Sequence, residues 1–176
     1  NSASVFSGSS NLKYDFAILV PGSIFNKDFV TSLSDTLIWL MQNNYTFIYR
    51  IWSSPMLPDL RNALIGADDI KSKKIGKQLF GGNYSVKKII MIDSDMTWTT
   101  QDFAGLALSK HDVTTGIVSV GDGKYNIGKR VIGEEPWGYY MSYQYYEIEK
   151  SHPFEIDACG TAFMSINPEV FLNIEY

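Results

Sequence analysis

Lys87 to Trp98 reads KKIIMIDSDMTW, and the order of its parts decides the fold. Lys87 to Ile92 carries a continuous apolar run, which suits a strand at the centre of a sheet covered on both faces. Two carboxylates, Asp93 and Asp95, follow at once. In open α/β sheets, ligands bind outside the carboxyl ends of the strands, so these acids are expected to point into a crevice. An Asp-x-Asp pair there suits a hard divalent cation, which takes oxygen ligands and shares its shell with phosphate oxygens. Such a cation offsets the negative charge that builds on a nucleoside diphosphate as a sugar bond breaks. The plainer alternative is a solvated strand end, or a cap for the helix that follows.

Working outward, Tyr14 to Val20 is a mostly apolar strand stopped by Pro21-Gly22. Phe29, Leu33, Leu37, Leu40 and Met41 then recur at helical spacing, with Asn26 as the cap and Asp28 in the first turn. Thr46 to Trp52 is rich in β-branched and aromatic residues and reads as a second strand. The Pro-bearing stretch Ser53 to Pro58 is a loop, and Leu60, Ala63, Leu64 and Ala67 mark another helix. Beyond the acid pair, Thr99 and Asp102 have capping-box spacing for a helix reaching about Lys110, and Val113 to Val120 reads as a fourth strand. Phe154 to Ile166 reads as the last strand, and Asn167-Pro168-Glu169 as the start of a helix. Successive strand–helix units predict an α/β, three-layer sandwich with a mainly parallel (mixed) central sheet. Between these parts, Gly121 to Lys150 holds five glycines, Trp137 and six tyrosines without sustained periodicity, and reads as a long loop. Its rings either pack beneath that loop or offer a flap on which an acceptor sugar stacks.

At 176 residues the chain has room for one domain, and 45% hydrophobic with 19% charged residues is a globular composition. A net charge of −4 with scattered basic residues leaves no footprint for a nucleic-acid backbone. The single cysteine, Cys159, excludes an internal disulfide and sits in an apolar stretch where a small buried residue is expected. No run approaches the roughly 20 apolar residues of a membrane span. Residues 1–13, rich in Ser and Asn, lack the apolar segment of a signal peptide and read as a loose arm. A cytoplasmic location is the corresponding expectation.

With these residues in view, the chain resembles a GT-A fold glycosyltransferase, close to the large inverting family of nucleotide-diphospho-sugar transferases. IDSDM (Ile92 to Met96) is similar to that family's D-x-D at the end of the central strand. Pro21-Gly22 stands where the nucleotide pocket begins, and LRNALIG (Leu60 to Gly66) resembles an Arg-Asn-bearing helix beneath the nucleotide. DACGTAFMSINPEVF (Asp157 to Phe171) resembles the later strand and its following helix. The resemblance covers residues 14–176 and implies a single domain, with 14–120 as the nucleotide-binding part and 121–176 as an incomplete acceptor and sugar side.

It further implies that Asp95 ligates Mn²⁺ or Mg²⁺ and that Asp93 contacts the ribose or the diphosphate–metal unit. Ser94, between them, joins the nucleotide-sugar contacts. Pro21 and Gly22 would line the nucleotide pocket, Arg61 would approach the base or phosphates, and Asp157 and Gly160 would lie near the sugar. The donor is then a UDP- or GDP-sugar, and the acceptor a glycan or other hydroxyl. The family's downstream acidic base, and the His that sometimes completes its metal shell, have no counterpart before Tyr176. Deprotonating an acceptor hydroxyl still needs a base. Asp157 or Glu155 would supply it, unless the chain is a truncated piece or a non-catalytic nucleotide-sugar-binding module. A rival from another class is a haloacid-dehalogenase-type phosphotransferase, whose Asp-x-Asp-x-Thr motif Asp93, Asp95 and Thr97 match. Some 90 residues of α/β pattern before that motif count against it.

Overall fold

A computed structural model describes residues 12–53, 64–65, 79–131, 139–144, 148 and 152–172. Strand β1 (Leu12–Pro21) lies between β2 (Phe47–Trp52) and β3 (Tyr84–Ile92), and both pairings are parallel. A later strand, which pairs antiparallel with β3, runs from Phe163 to Ile166, and Val113–Thr115 (β4) pairs antiparallel with it at the sheet edge. Among the described residues the protein is therefore mixed α/β, with a five-stranded mixed sheet.

The period-two alternation of strands explains how β1 and β3 serve both faces. Phe16, Ile18 and Val20 join Ile90 and Ile92 in one apolar cluster, under α1 (Lys27–Gln42) and α2 (Thr100–Ala107). Ala17 and Leu19 join Ile89 and Met91 in a second cluster on the opposite face, with the helical pair Leu64 and Ile65, Phe80 and Phe171. Fully burying Ile18, Leu19 or Val20 contributes roughly 1.5–3 kcal/mol each. The rest of the expected helix after Pro58 lies outside the described residues.

The helix caps follow the sequence pattern. Asn26 Oδ1 accepts from the Phe29 N–H (2.7 Å), and Thr99 and Asp102 form the reciprocal capping box. Helix α2 stops at Ala107, short of the expected Lys110. Just past its end the buried Lys88 Nζ donates to the Ser109 and His111 carbonyls (2.6 and 3.0 Å), which an extended helix would have turned toward its own axis. Burial holds the Lys88 ammonium below the usual lysine range, partly opposed by Asp112.

Three expectations need correction. Val113 to Val120 is not one strand: it leaves the main sheet at Gly116, where the Phe163 ring would stand 2.5 Å from any Cβ. The remainder, β5 (Ser119–Gly121), starts a second, antiparallel sheet with β6 (Lys124–Val131) and β7 (Tyr139–Gln144). Much of the expected loop is therefore paired strand, and Gly121, Asp122 and Gly123 make its first turn with positive φ throughout. Phe154 to Ile166 likewise divides, into β8 (Ala158–Cys159) on β6 and β9 (Phe163–Ile166) on the main sheet. Pro168–Leu172 is a short 3₁₀ turn, and Asn167 donates to Asp112 Oδ1 (2.7 Å). No described helix is long and apolar enough to cross a membrane.

Asp15 ties three strands together. Its carboxylate accepts from the Thr46 N–H and hydroxyl (2.8 and 2.9 Å), and Lys87 Nζ reaches it at 2.7 Å. The Lys87 hydrogen bond, then the Thr46 N–H, hold the Asp15 carboxyl below its ordinary value. The unfolded chain thus binds more protons than the folded one between the lowered value and about 3.9, and stability rises with pH through that window. This contribution is complete above about pH 4 and is lost as pH falls through the folded value. Urea titrations of Asp15→Asn should show a shallower acid limb than the wild type; equal slopes below pH 4 would contradict the clamp.

Candidate functional site

The parallel register brings the carboxyl ends of β1 and β3 side by side, with Leu19 opposite Met91. Two residues further along each strand, the chain arrives at Pro21-Gly22 and at Asp93-Ser94. Gly22 has φ +149°, and a Cβ there would fall on the Ser94 side chain. Glycine is required twice over: for the backbone angle, and for the close approach of the turn to Ser94. The Gly22 N–H also donates to the Trp52 carbonyl (2.9 Å), so the end of β2 joins the same edge. Pro21 is buried at that edge.

Across the sheet, the Asp93 N–H donates to the Ala162 carbonyl (2.8 Å), one step beyond the Ile92–Phe163 pair and just ahead of β9. The Asp93 carbonyl accepts from the Met96 N–H (3.1 Å), closing a turn that carries Ser94 and Asp95 at its tip. Asp93 and Ser94 are half-buried, whereas Asp95 is exposed. The structure therefore brings Pro21, Gly22, Asp93, Ser94 and Asp95 together at one sheet edge, and adds the 160–162 loop. Gly160 stands two residues before Ala162, its N–H donating to the Asn126 carbonyl (2.8 Å).

The turn is held from behind as well. Trp98 is buried, its N–H donating to Ser32 Oγ (3.1 Å) and its indole N–H to Thr36 Oγ1 (2.8 Å). Its ring packs on Phe29 and Phe163 at centroid distances of 5.3 and 5.7 Å. These partners escape a pattern-based reading that looks for apolar spacing alone. The usable signal was a pair of hydroxyls, Ser32 and Thr36, four residues apart among the core-facing positions of α1.

Asp157 sits elsewhere. It is exposed, its Oδ2 accepts from the Arg130 N–H (2.7 Å), and its own N–H donates to the Gly128 carbonyl (3.2 Å). With Thr115, His152, Glu155 and Cys159 it lines a cavity of about 780 Å³. Neither Asp93 nor Asp95 contributes to that cavity, so its size says nothing about the acid pair. Burial pushes the Cys159 thiol up, with a Thr115 hydrogen bond opposing, so the thiol is not disposed to act as a nucleophile. Arg61 and the rest of the expected Arg-Asn helix segment apart from Leu64 and Ile65 lie outside the described residues, as does Trp137.

Among the described residues no three His, Cys, Asp or Glu side chains gather closely enough to hold a metal unaided. Two carboxylates on one turn would hold only a Mg²⁺-type ion, whose shell is completed by phosphate oxygens and water. The donor set of Asp93 and Asp95, hard oxygens only, fits Mn²⁺ or Mg²⁺ and disfavours softer ions. No protein-family model, curated protein or solved structure matches the chain.

Gly22→Ala tests the edge geometry. The added methyl meets Ser94 and the backbone angle is strained, so the variant should lose about 1–3 kcal/mol of stability in chemical denaturation. Wild-type stability in Gly22→Ala would show that the turn has slack.

Proposed function

We propose that this chain is the donor-binding part of a metal-dependent glycosyltransferase of the GT-A type, taking a sugar from a nucleoside diphosphate to an acceptor hydroxyl. One observation carries the reading: Gly22, the Asp93–Asp95 turn and the Ala162 carbonyl converge at the carboxyl ends of parallel strands. That is where open α/β sheets bind nucleotides. The missing Cβ of Gly22 lets the Ser94 side chain close against the backbone of the β1 turn, which makes a compact wall beside the acid turn.

In this reading Asp95, exposed at the tip of the turn, and Asp93, half-buried beside it, hold Mn²⁺ or Mg²⁺. A cation so held, when bound, neutralises the diphosphate as the leaving group departs. The chain's own contribution is position. The Asp93 backbone is fixed at its N–H by Ala162 and at its carbonyl by Met96, so the turn that carries the two acids is ordered before a ligand arrives. Pro21, Gly22 and Ser94 form the adjacent wall. On the acceptor side, Asp157 is the candidate base: it would take the proton of the hydroxyl as that oxygen bonds to the sugar carbon and the diphosphate leaves. Gly160, between Asp157 and Ala162, links that side to the acid pair.

The phosphotransferase alternative requires further acidic residues beside Asp93 and Asp95. The described residues place none within metal-holding reach of the pair. A two-acid turn that borrows the ligand's phosphates is the better match.

Melting temperatures with UDP and GDP, each with Mn²⁺ and with chelator, test the proposal. A ligand at 100 times its Kd stabilises the native state by about 2.7 kcal/mol. The expected result is a rise with one diphosphate plus Mn²⁺, abolished by chelator and by Asp95→Ala. A rise that survives both would contradict the assignment. Release of the diphosphate from a nucleotide sugar, with acceptor present, then separates a transferase from a module that only binds.

A further inference from the structure

Helix α1 carries two hydroxyls where its periodicity calls for apolar side chains. Ser32 is 6% exposed and Thr36 0%, and both belong to the face that also buries Phe29 and Leu40. A hydroxyl in such a place is destabilising unless it is hydrogen-bonded. Both have the same partner, Trp98: Ser32 Oγ takes its backbone N–H and Thr36 Oγ1 its indole N–H. Trp98 stands three residues after Asp95 and one before the Thr99 cap of α2. The chain between Asp93 and Trp98 is consequently anchored at both ends, by Ala162 at the first and by α1 at the second.

We infer that Ser32 and Thr36 are positioning residues for the acid pair: through Trp98 they hold the Asp93–Asp95 turn in the shape that receives a divalent cation. The inference rests on the metal-binding role proposed above. Packing alone would be served by valine or alanine at both positions, since Phe29 and Phe163 already enclose the ring. The hydroxyls add direction. They fix the rotation of the indole and the height of its backbone N–H, and with these the path of Met96 and Thr97 back to Asp95. Groups that orient metal ligands without touching the metal commonly change affinity by about 10- to 100-fold when removed.

Thr36→Val keeps the shape of the side chain and removes the acceptor. Mn²⁺ binding, with and without UDP, is followed by the electron paramagnetic resonance of free Mn²⁺ in the wild type, Thr36→Val, Thr36→Ser, Trp98→Phe and Asp95→Ala. The inference expects Thr36→Val to raise the Mn²⁺ Kd about 10-fold while the metal-free protein stays folded by circular dichroism. Thr36→Ser, which restores a hydroxyl, should return the wild-type Kd. If Thr36→Val does not fold, Trp98→Phe, which removes the indole donor from the other side of the bond, carries the same expectation. Wild-type Mn²⁺ affinity in the folded variant, beside a loss in Asp95→Ala, would overturn the positioning role and leave the metal site standing. A Thr36→Ser protein as weak as Thr36→Val would also overturn it. A wild type that binds no Mn²⁺ under either condition would bring down both this inference and the function beneath it.

Discussion

β1 and β3 run parallel from the Leu12–Tyr84 pair to the Leu19–Met91 pair, and at their carboxyl halves both faces of both strands are closed to water. Every element of the candidate site hangs from that pairing. It sets Gly22 against Ser94, and it points the acid turn along the same edge. Yet the apolar halves alone are poor at choosing a register. Ile89, Ile90, Met91 and Ile92 would each bury well on either face, so a slip by one residue would exchange faces without an obvious apolar penalty. The polar residues at the other end make the choice. Lys87 meets Asp15 opposite it, and Lys88, turned inward, reaches the Ser109 and His111 carbonyls beyond α2. A slip would bury Lys87 without a partner and expose Lys88, and a buried unpaired ammonium is costly.

That arrangement divides the labour within β3. The amino-terminal lysines fix where the strand lies, the isoleucines seal it, and the aspartates follow at the turn that ends it. The turn they form has little freedom, being tied to Ala162 ahead, to Met96 within and to α1 behind.

Much of this was legible in the chain itself. The apolar run before Asp93, the Asn26 cap and the Thr99–Asp102 box are local signals, and local chemistry places β3, α1 and α2 where the pattern says. The failures lie where strands change sheets. Val113 to Val120 and Phe154 to Ile166 look continuous because β-propensity is local, whereas their breaks at Gly116 and Gly160–Ala162 are dictated by a second sheet with which each must pair. The Asp122-Gly123 pair was a hairpin signal within a stretch read as loop. At the site, the carboxylates and Pro21-Gly22 stand out by residue type. The Ala162 carbonyl does not, because a main-chain acceptor has no signature in sequence, and the Arg130 N–H that donates to Asp157 is hidden for the same reason.

The central claim is that Asp93 and Asp95 grip a divalent cation which in turn holds a diphosphate. Crystals of the protein grown with Mn²⁺ and UDP, with diffraction recorded at the manganese edge, address it most directly. The account predicts an anomalous peak within coordination distance of the Asp95 carboxylate, bridging to diphosphate oxygens on the side of Gly22. Manganese bound only elsewhere, with the nucleotide away from the Asp93–Asp95 turn, would contradict it.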